Sequence, residues 1–219
     1  MSRLIVSTLF VKTASLAYVV PVAADEAGPR SHTGRRRNEA ARRAILDAIG
    51  AAIEAGASLD QLTIDRIAAD AGVGRQTIYR WWPSKGAVLA EAMTETARRL
   101  APRPESGSLD ADLHRFLVST FEVAGREPAA GLLRSVVAEA QRDAATAAAL
   151  AEFAAARRAE LAAIVEAARG RGELDPAADA ELLAEQALGV LWYRLVVTGA
   201  PVDGEVARRL AEVLVAQLR

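Results

Sequence analysis

Apolar positions recur along most of this chain at intervals of three and four, the spacing that gathers side chains on one face of a helix. Ile45, Ile49, Ala52 and Ile53 mark such a face in a helix expected from Asn38 to Ala55, with Arg42 and Arg43 turned away and Gly56 ending it. A polar connection, 58–61, leads to a shorter pattern. Ile64, Ile67, Ala68 and Ala71 fall at i, i+3, i+4 and i+7, with Thr63 as the expected N-cap and Asp65 in the first turn. Gly72 suits the left-handed residue that ends a helix, which leaves Val73 to wedge between two helices and Gly74 to begin the next. The buried residues of that next helix are expected to be Ile78 and Trp82. Pro83 breaks it, and Ser84 caps a further helix from Lys85 to about Leu100 through Val88, Leu89, Ala92, Met93 and Ala97.

Pro102, Pro104 and Gly107 make 101–108 the expected domain boundary. Beyond it the same period continues. Leu109, Leu113, Phe116, Leu117 and Phe121 mark one helix, and Leu132, Leu133, Val136, Val137 and Ala140 a second. An Ala-rich third runs from Ala144 to about Ala168 through Leu150, Phe153, Leu161, Ile164 and Val165. Pro176 is expected to open a fourth, through Leu182, Leu183, Ala187, Val190, Leu191 and Leu195. After Gly199, Pro201 and Gly204 the last carries Val206, Leu210, Val213, Leu214 and Leu218.

The expected fold class is therefore all-α. Composition agrees: 52% of the 219 residues are apolar and only 5% aromatic, so the core is built mainly of Ala, Leu, Val and Ile. With no Cys, disulfides and thiolate metal sites are excluded. Net charge is −1 overall but uneven along the chain. Residues 30–99 carry twelve Arg or Lys against eight Asp or Glu, and residues 100–219 thirteen against eighteen, giving +4 and −5. That asymmetry suits a nucleic-acid module joined to an acidic body.

The basic end holds the residues best suited to nucleic acid. Arg75, Gln76, Thr77, Tyr79, Arg80 and Trp81 lie off the buried row of the short helix. Arg and Gln bond base edges bidentately, while hydroxyls and an indole N–H hold phosphates. Lys85 sits at the positive end of the following helix, where phosphate is welcome. The pattern Ile-Ala-x-x-Ala-Gly-Val-x-x-x-Thr-Ile-Tyr-x-x-Trp-x-x-Lys resembles the DNA-binding segment of the TetR (TetR/AcrR) family of transcriptional regulators, over roughly Ala40 to Leu100.

The resemblance implies a three-helix helix-turn-helix domain at 38–83, a linking helix at 84–100, and a helical ligand-binding and dimerisation body at 101–219, about nine helices in all. It implies that the second helix of the motif enters the major groove, that Lys85 touches the DNA backbone, and that the tilt of the linking helix sets the distance between the two recognition helices of a homodimer. Arg75 and Gln76 are then expected on base edges, with Thr63, Thr77, Tyr79, Trp81 and Lys85 on backbone. The segments Ala-Glu-Ala-Gln-Arg-Asp and Tyr-Arg-Leu-Val-Val-Thr-Gly are similar to those of an actinobacterial-type regulatory domain in the family. In the family the terminal helices form a four-helix dimer interface, which falls here on Leu191, Trp192, Leu195, Leu210 and Leu214. The alternative is that these residues complete the chain's own core. Phe116, Phe121, Leu133 and Phe153 are the candidates to line a pocket for a small-molecule effector, against plain core.

Nothing in the sequence announces catalysis or a cofactor. His32 and His114 are far apart and without ligand spacing, Gly72-Val73-Gly74 lacks the third glycine and preceding strand of a dinucleotide fingerprint, and neither Gly-x-Ser-x-Gly nor His-Glu-x-x-His occurs. Asp110 and Asp112 read as charges at a helix start. Residues 1–37 admit three readings: a secretion signal, a disordered extension, or upstream sequence from a wrongly chosen start codon. Within them Arg30, Arg35, Arg36 and Arg37 form either a solvated linker or an arm reaching phosphates. The expected function is a ligand-responsive, cytoplasmic and nucleoid-associated regulator of bacterial type, a repressor that binds a palindromic DNA operator as a homodimer, with no membrane partner and no enzymatic activity. A helical interaction scaffold whose motif does not read DNA, and an exported helical protein, are the alternatives.

Overall fold

The computed structural model describes residues 31–58 and 60–218, and among these every regular element is a helix. α1 (Ser31–Glu54), α2 (Ile64–Asp70) and α3 (Arg75–Trp81) form a small N-terminal unit. α4 (Lys85–Leu100) runs from that unit into a body made of α5 (Leu109–Gly125), α6 (Ala129–Ala140), α7 (Ala144–Gly170), α8 (Ala180–Trp192) and α9 (Gly204–Leu218). A π-helical stretch, Tyr193–Thr198, prolongs α8. The residues 1–30, and with them the signal and start-codon readings and Arg30, lie outside the described residues, as do the side chains of Arg35, Arg36 and Arg37.

α1 starts at Ser31, before the Asn38 that the apolar pattern marks. The pattern registers only the stretch that packs, Ile45, Leu46, Ile49 and Ile53. No proline interrupts 31–37, so the backbone hydrogen-bond ladder continues N-terminally without an apolar face.

The turn between α2 and α3 follows the expected chemistry. Gly72 has φ +66°, its N–H donates to the Ala69 carbonyl (3.1 Å), and the Val73 N–H donates to the Ala68 carbonyl (2.9 Å). This pair of bonds satisfies the last carbonyls of α2 and turns Val73 onto the core, where it is half-buried. At the other end the Thr63 hydroxyl accepts from the Arg66 N–H (3.2 Å).

α4 is the spine that joins the two parts. Ser84 caps it by accepting from the Ala87 N–H (3.1 Å), and the same hydroxyl lies 3.1 Å from the Thr146 hydroxyl in the first turn of α7. Thr146 donates in turn to Asp143, the N-cap of α7. Gly86 allows this approach: a Cβ there would stand 2.0 Å from Thr146 Oγ1. Hydrogen bonds from Thr146 and Ser84 hold the Asp143 carboxylate below its ordinary pKa.

In the body, α5 lies between α9 and α7, with Phe116, Leu117 and Phe121 fully enclosed. Pro176 does not open α8 as the sequence pattern suggests. The segment 175–179 is a turn closed by the Ala178 N–H on the Asp175 carbonyl (3.0 Å), and Asp179 caps α8 by accepting from the Leu182 N–H (3.0 Å). An Asp one residue before a helix satisfies a donor that proline, lacking a side-chain acceptor, leaves open.

Candidate nucleic-acid interface and inner cavity

α3 is only seven residues long and cannot hold its own direction; its neighbours fix it. Ile78 is fully buried on its inner side, and Trp82, just past its end, is 4% exposed. The Trp82 indole N–H donates to Glu91 Oε2 on α4 (2.6 Å). Glu91 also pairs with Arg42 of α1, whose guanidinium lies 5.9 Å from the ring centres of both Trp81 and Trp82. Arg80 donates to Asn38 Oδ1 (2.6 Å), and Arg75 bridges to Asp65 (2.8 Å) on α2. α3 is thus tied to α1, α2 and α4. Sequence spacing passed over Asn38, Arg42 and Glu91, because each is a charge or amide off the apolar stripe of its own helix and looks solvated.

The outward face carries what the residue types suggested. Thr63, Arg75, Gln76, Tyr79 and Arg80 are exposed, Tyr79 at 52%, and Thr77 and Lys85 are half-exposed. Trp81 departs from the expectation. Its ring packs on the core beside Trp82 (6.4 Å between centroids), and its indole nitrogen is buried without a hydrogen-bond partner. An N–H so placed does not reach a phosphate. Arg42 lies beside both rings.

A second feature is a cavity of about 80 Å³ inside the body. Ile53 of α1, Met93 of α4, Leu132 and Leu133 of α6, Phe153 of α7 and Trp192 of α8 are among its walls. Of the four residues expected to line a pocket, Leu133 and Phe153 do so, while Phe116 and Phe121 are plain core. Phe153 meets Trp192 edge-on at 6.5 Å.

Sequence reasoning missed Arg157, which also lines the cavity and is 4% exposed. Its Nη1 donates to the Ala101 carbonyl (3.0 Å) and to Glu160, and its Nη2 donates to the Thr120 hydroxyl (2.6 Å). The guanidinium stacks 4.4 Å from the Phe116 ring centre. Burial lowers its pKa from the ordinary arginine value, Glu160 pulling it back up and Arg98 pressing it down further. It stays charged at any physiological pH. A signal did exist: Arg157 falls on the row Phe153, Leu161, Ile164, Ala168, the apolar face of α7.

The terminal helices differ from the expectation too. Leu191, Leu195 and Leu214 are 4%, 3% and 1% exposed in the single chain, so this chain's own core already covers them. Trp192 and Leu210 are half-buried. The apolar side chains left outward are Leu182, Tyr193, Val196 and Val197 on α8 and its π-helical extension, and Val213 on α9. Helical periodicity shows that a stripe is apolar; it does not tell which of two adjacent stripes faces the same chain.

A short helix braced from behind with polar side chains outward, preceded by a capped helix and a glycine turn, defines a helix-turn-helix DNA-binding regulator. A family profile described as "Bacterial regulatory proteins, tetR family" matches residues 45–92, and one described as "Tetracyclin repressor-like, C-terminal domain" matches residues 103–214. The chain belongs to the TetR family of transcriptional regulators. It is 33% identical over 190 residues to the uncharacterized HTH-type transcriptional regulator YdeS of Bacillus subtilis, covering 83% of this chain and 91% of that one. It is 30% identical over 156 residues to the HTH-type transcriptional regulator AqdR of Rhodococcus erythropolis, covering 69% and 74%. The crystal structure of the TetR family regulator SCO0332 superposes with a TM-score of 0.74 at 31% identity, over 82% of this chain and 98% of that one. Among the described residues, no helix is long and apolar enough to cross a membrane and no cluster has the make-up of a metal site.

Proposed function

We propose that this regulator acts as a cytoplasmic homodimeric repressor, non-enzymatic, that binds a palindromic operator through α3 and is released by a small molecule held in the body. In this reading Gln76 and Arg75 read base edges, and Thr63, Thr77, Tyr79, Arg80 and Lys85 hold the backbone. Trp81 supports the helix from behind. The observation that carries the reading is α3 itself: Gln76 and Tyr79 stand exposed on a helix that Trp82, Arg42 and Glu91 hold rigid from the other side. Arg75 and Arg80 are already held by Asp65 and Asn38, which orients them at low cost, because exposed pairs of this kind contribute little and exchange readily for a base edge or a phosphate.

Dimerisation is supported by the outward row Leu182, Tyr193, Val196 and Val197 together with Val213. One short helix reads few base pairs, and two-fold symmetry is how helix-turn-helix proteins gather enough contacts. Ligand response is supported by the cavity, since its walls include α4, the element that also holds Trp82 through Glu91. To turn a mostly bound population into a mostly free one, the ligand must favour the released form by about 5 kcal/mol. The test is selection of bound duplexes from the host genome, followed by anisotropy titrations. A two-fold symmetric site with steep salt dependence is expected, and sequence-indifferent binding overturns the reading.

A further inference from the structure

One group links the cavity to the helix that leads to DNA. Arg157 is the charged residue of a cavity whose other walls are apolar apart from Thr96 and Thr120, and through Nη1 it holds the carbonyl of Ala101, the residue that ends α4. Its carboxylate partner is shared. Glu160, its carboxylate, is also 3.7 Å from Arg98 of α4, so two guanidiniums converge on one partly buried acid, Arg98 reaching the exposed Glu95 (3.5 Å) as well. A carboxylate entering from the cavity competes with Glu160 for Arg157, and a displaced Glu160 still has Arg98. The Phe116 ring centre, 4.4 Å from the guanidinium carbon, gives the charge an aromatic platform.

Size adds a second constraint. A closed apolar cavity of about 150 Å³ binds benzene, and this one, partly open, is about 80 Å³. A ligand of that bulk either extends through the opening or displaces a wall. Met93, Thr96, Ala97 and Ala101 all belong to α4 or its end, which Arg157 holds at the Ala101 carbonyl beside the ion pairs Arg98–Glu160 and Arg99–Glu54.

Building on the reading of the chain as a ligand-released regulator, we propose that the effector is a small apolar carboxylic acid whose carboxylate binds Arg157, drawing it from the Ala101 carbonyl and freeing the C-terminal end of α4. Apolar walls hold the hydrocarbon part, and neutral or cationic molecules of the same skeleton leave Arg157 in place.

The test uses the full chain. Butyrate, hexanoate, octanoate and benzoate are titrated by calorimetry, each against the alcohol and the amine of the same skeleton, and operator release is followed by anisotropy in parallel. At least one acid is expected to bind roughly tenfold or more tightly than its alcohol, as a charge-assisted pair implies, and to release the operator. Arg157→Met should abolish the preference. Because that variant alters a buried site, Glu160→Gln, partly exposed, provides a second arm: removing the competing carboxylate should tighten acid binding several-fold. Alcohols binding as well as acids, no acid binding at all, or Glu160→Gln leaving acid affinity unchanged each overturns the proposal. If alcohols bind and release the operator equally well, the ligand-released regulator stands and only the acid class falls. If the unliganded chain fails to bind any duplex, the DNA reading falls, and the calorimetric preference still decides the acid class.

Discussion

The outer face of α3 and the inner cavity place their charges on opposite plans. Around α3 the guanidiniums of Arg75 and Arg80 sit at the surface, each in a single exposed contact. In the cavity one guanidinium is buried and held by three partners on α4's end, α5 and α7. An exposed pair contributes little to stability, so its members are free to change partner, which is what a DNA-reading surface requires. A buried charge that loses its partners costs several kcal/mol, so it moves only when something of equal charge replaces them. The first site can be changed without disturbing the fold. At the second, fold and response are coupled.

The largest effect should come where the two plans join. Trp82→Ala removes a ring that is 4% exposed and its bond to Glu91, and should cost about 3–5 kcal/mol in urea unfolding. Operator binding should fall with it, because α3 loses its tie to α4. Next, the inner and outer rows of the last helices can be separated. Leu195→Ala should lower stability by about 2–5 kcal/mol at every protein concentration, whereas Val197→Arg, at a residue 71% exposed, should leave the fold intact and shift sedimentation equilibrium toward monomer.

These two rows also mark the limit of what the sequence discloses. The order of helices, the Thr63 cap, the Gly72 turn and the buried Ile78 and Trp82 were all legible, because caps, turns and a short apolar face are local and each residue type has one mechanical use there. Leu191, Leu195 and Leu214 were not, since a stripe on a helix reveals its polarity and not who covers it. Phe116 and Phe121 share the fate of most aromatics at helical spacing and are core. Trp81 packs inward beside Arg42, a residue distant in sequence, and spacing within one short helix does not show such a contact. Arg157 was hidden by habit: next to Arg158 in an Ala-rich helix it resembles a solvated charge, although its register puts it on the apolar row.

A smaller effect belongs to the reading residue. Gln76→Ala should reduce discrimination between operator and altered sites by about 1–3 kcal/mol, with stability changed by no more than about 0.5 kcal/mol. If it destabilises the fold instead, α3 is packing on that face and the contrast between the two sites fails.

Asp112, whose residue is 4% exposed, provides a control in the body, remote from α3. Burial raises its pKa, but hydrogen bonds from Ser106 and Gly107, with Arg171 nearby, outweigh that and leave it below the ordinary aspartate value. A lowered folded pKa means the carboxylate stabilises the fold above the unfolded pKa, near 3.9, and loses that effect as pH falls through the lower folded value. Asp112→Asn should therefore cost about 1–2 kcal/mol at neutral pH, and the gap to the wild type should close on acidification below pH of about 4. Unfolding curves at several pH values check this, and DNA affinity at neutral pH should be unmoved.

The smallest effect is expected at Lys85. Lys85→Ala should weaken all duplexes alike and reduce the salt slope of binding by about one. A loss confined to one sequence would place this residue on a base instead.

The most direct measurement of the central claim is the affinity of the full chain for its selected duplex as half a helical turn is inserted between the two half-sites. Two α3 helices held by one symmetric dimer should lose nearly all specific binding, and a whole turn, which restores the face but adds about 34 Å between the half-sites, should not restore it. Binding that is indifferent to the insertion would contradict the account.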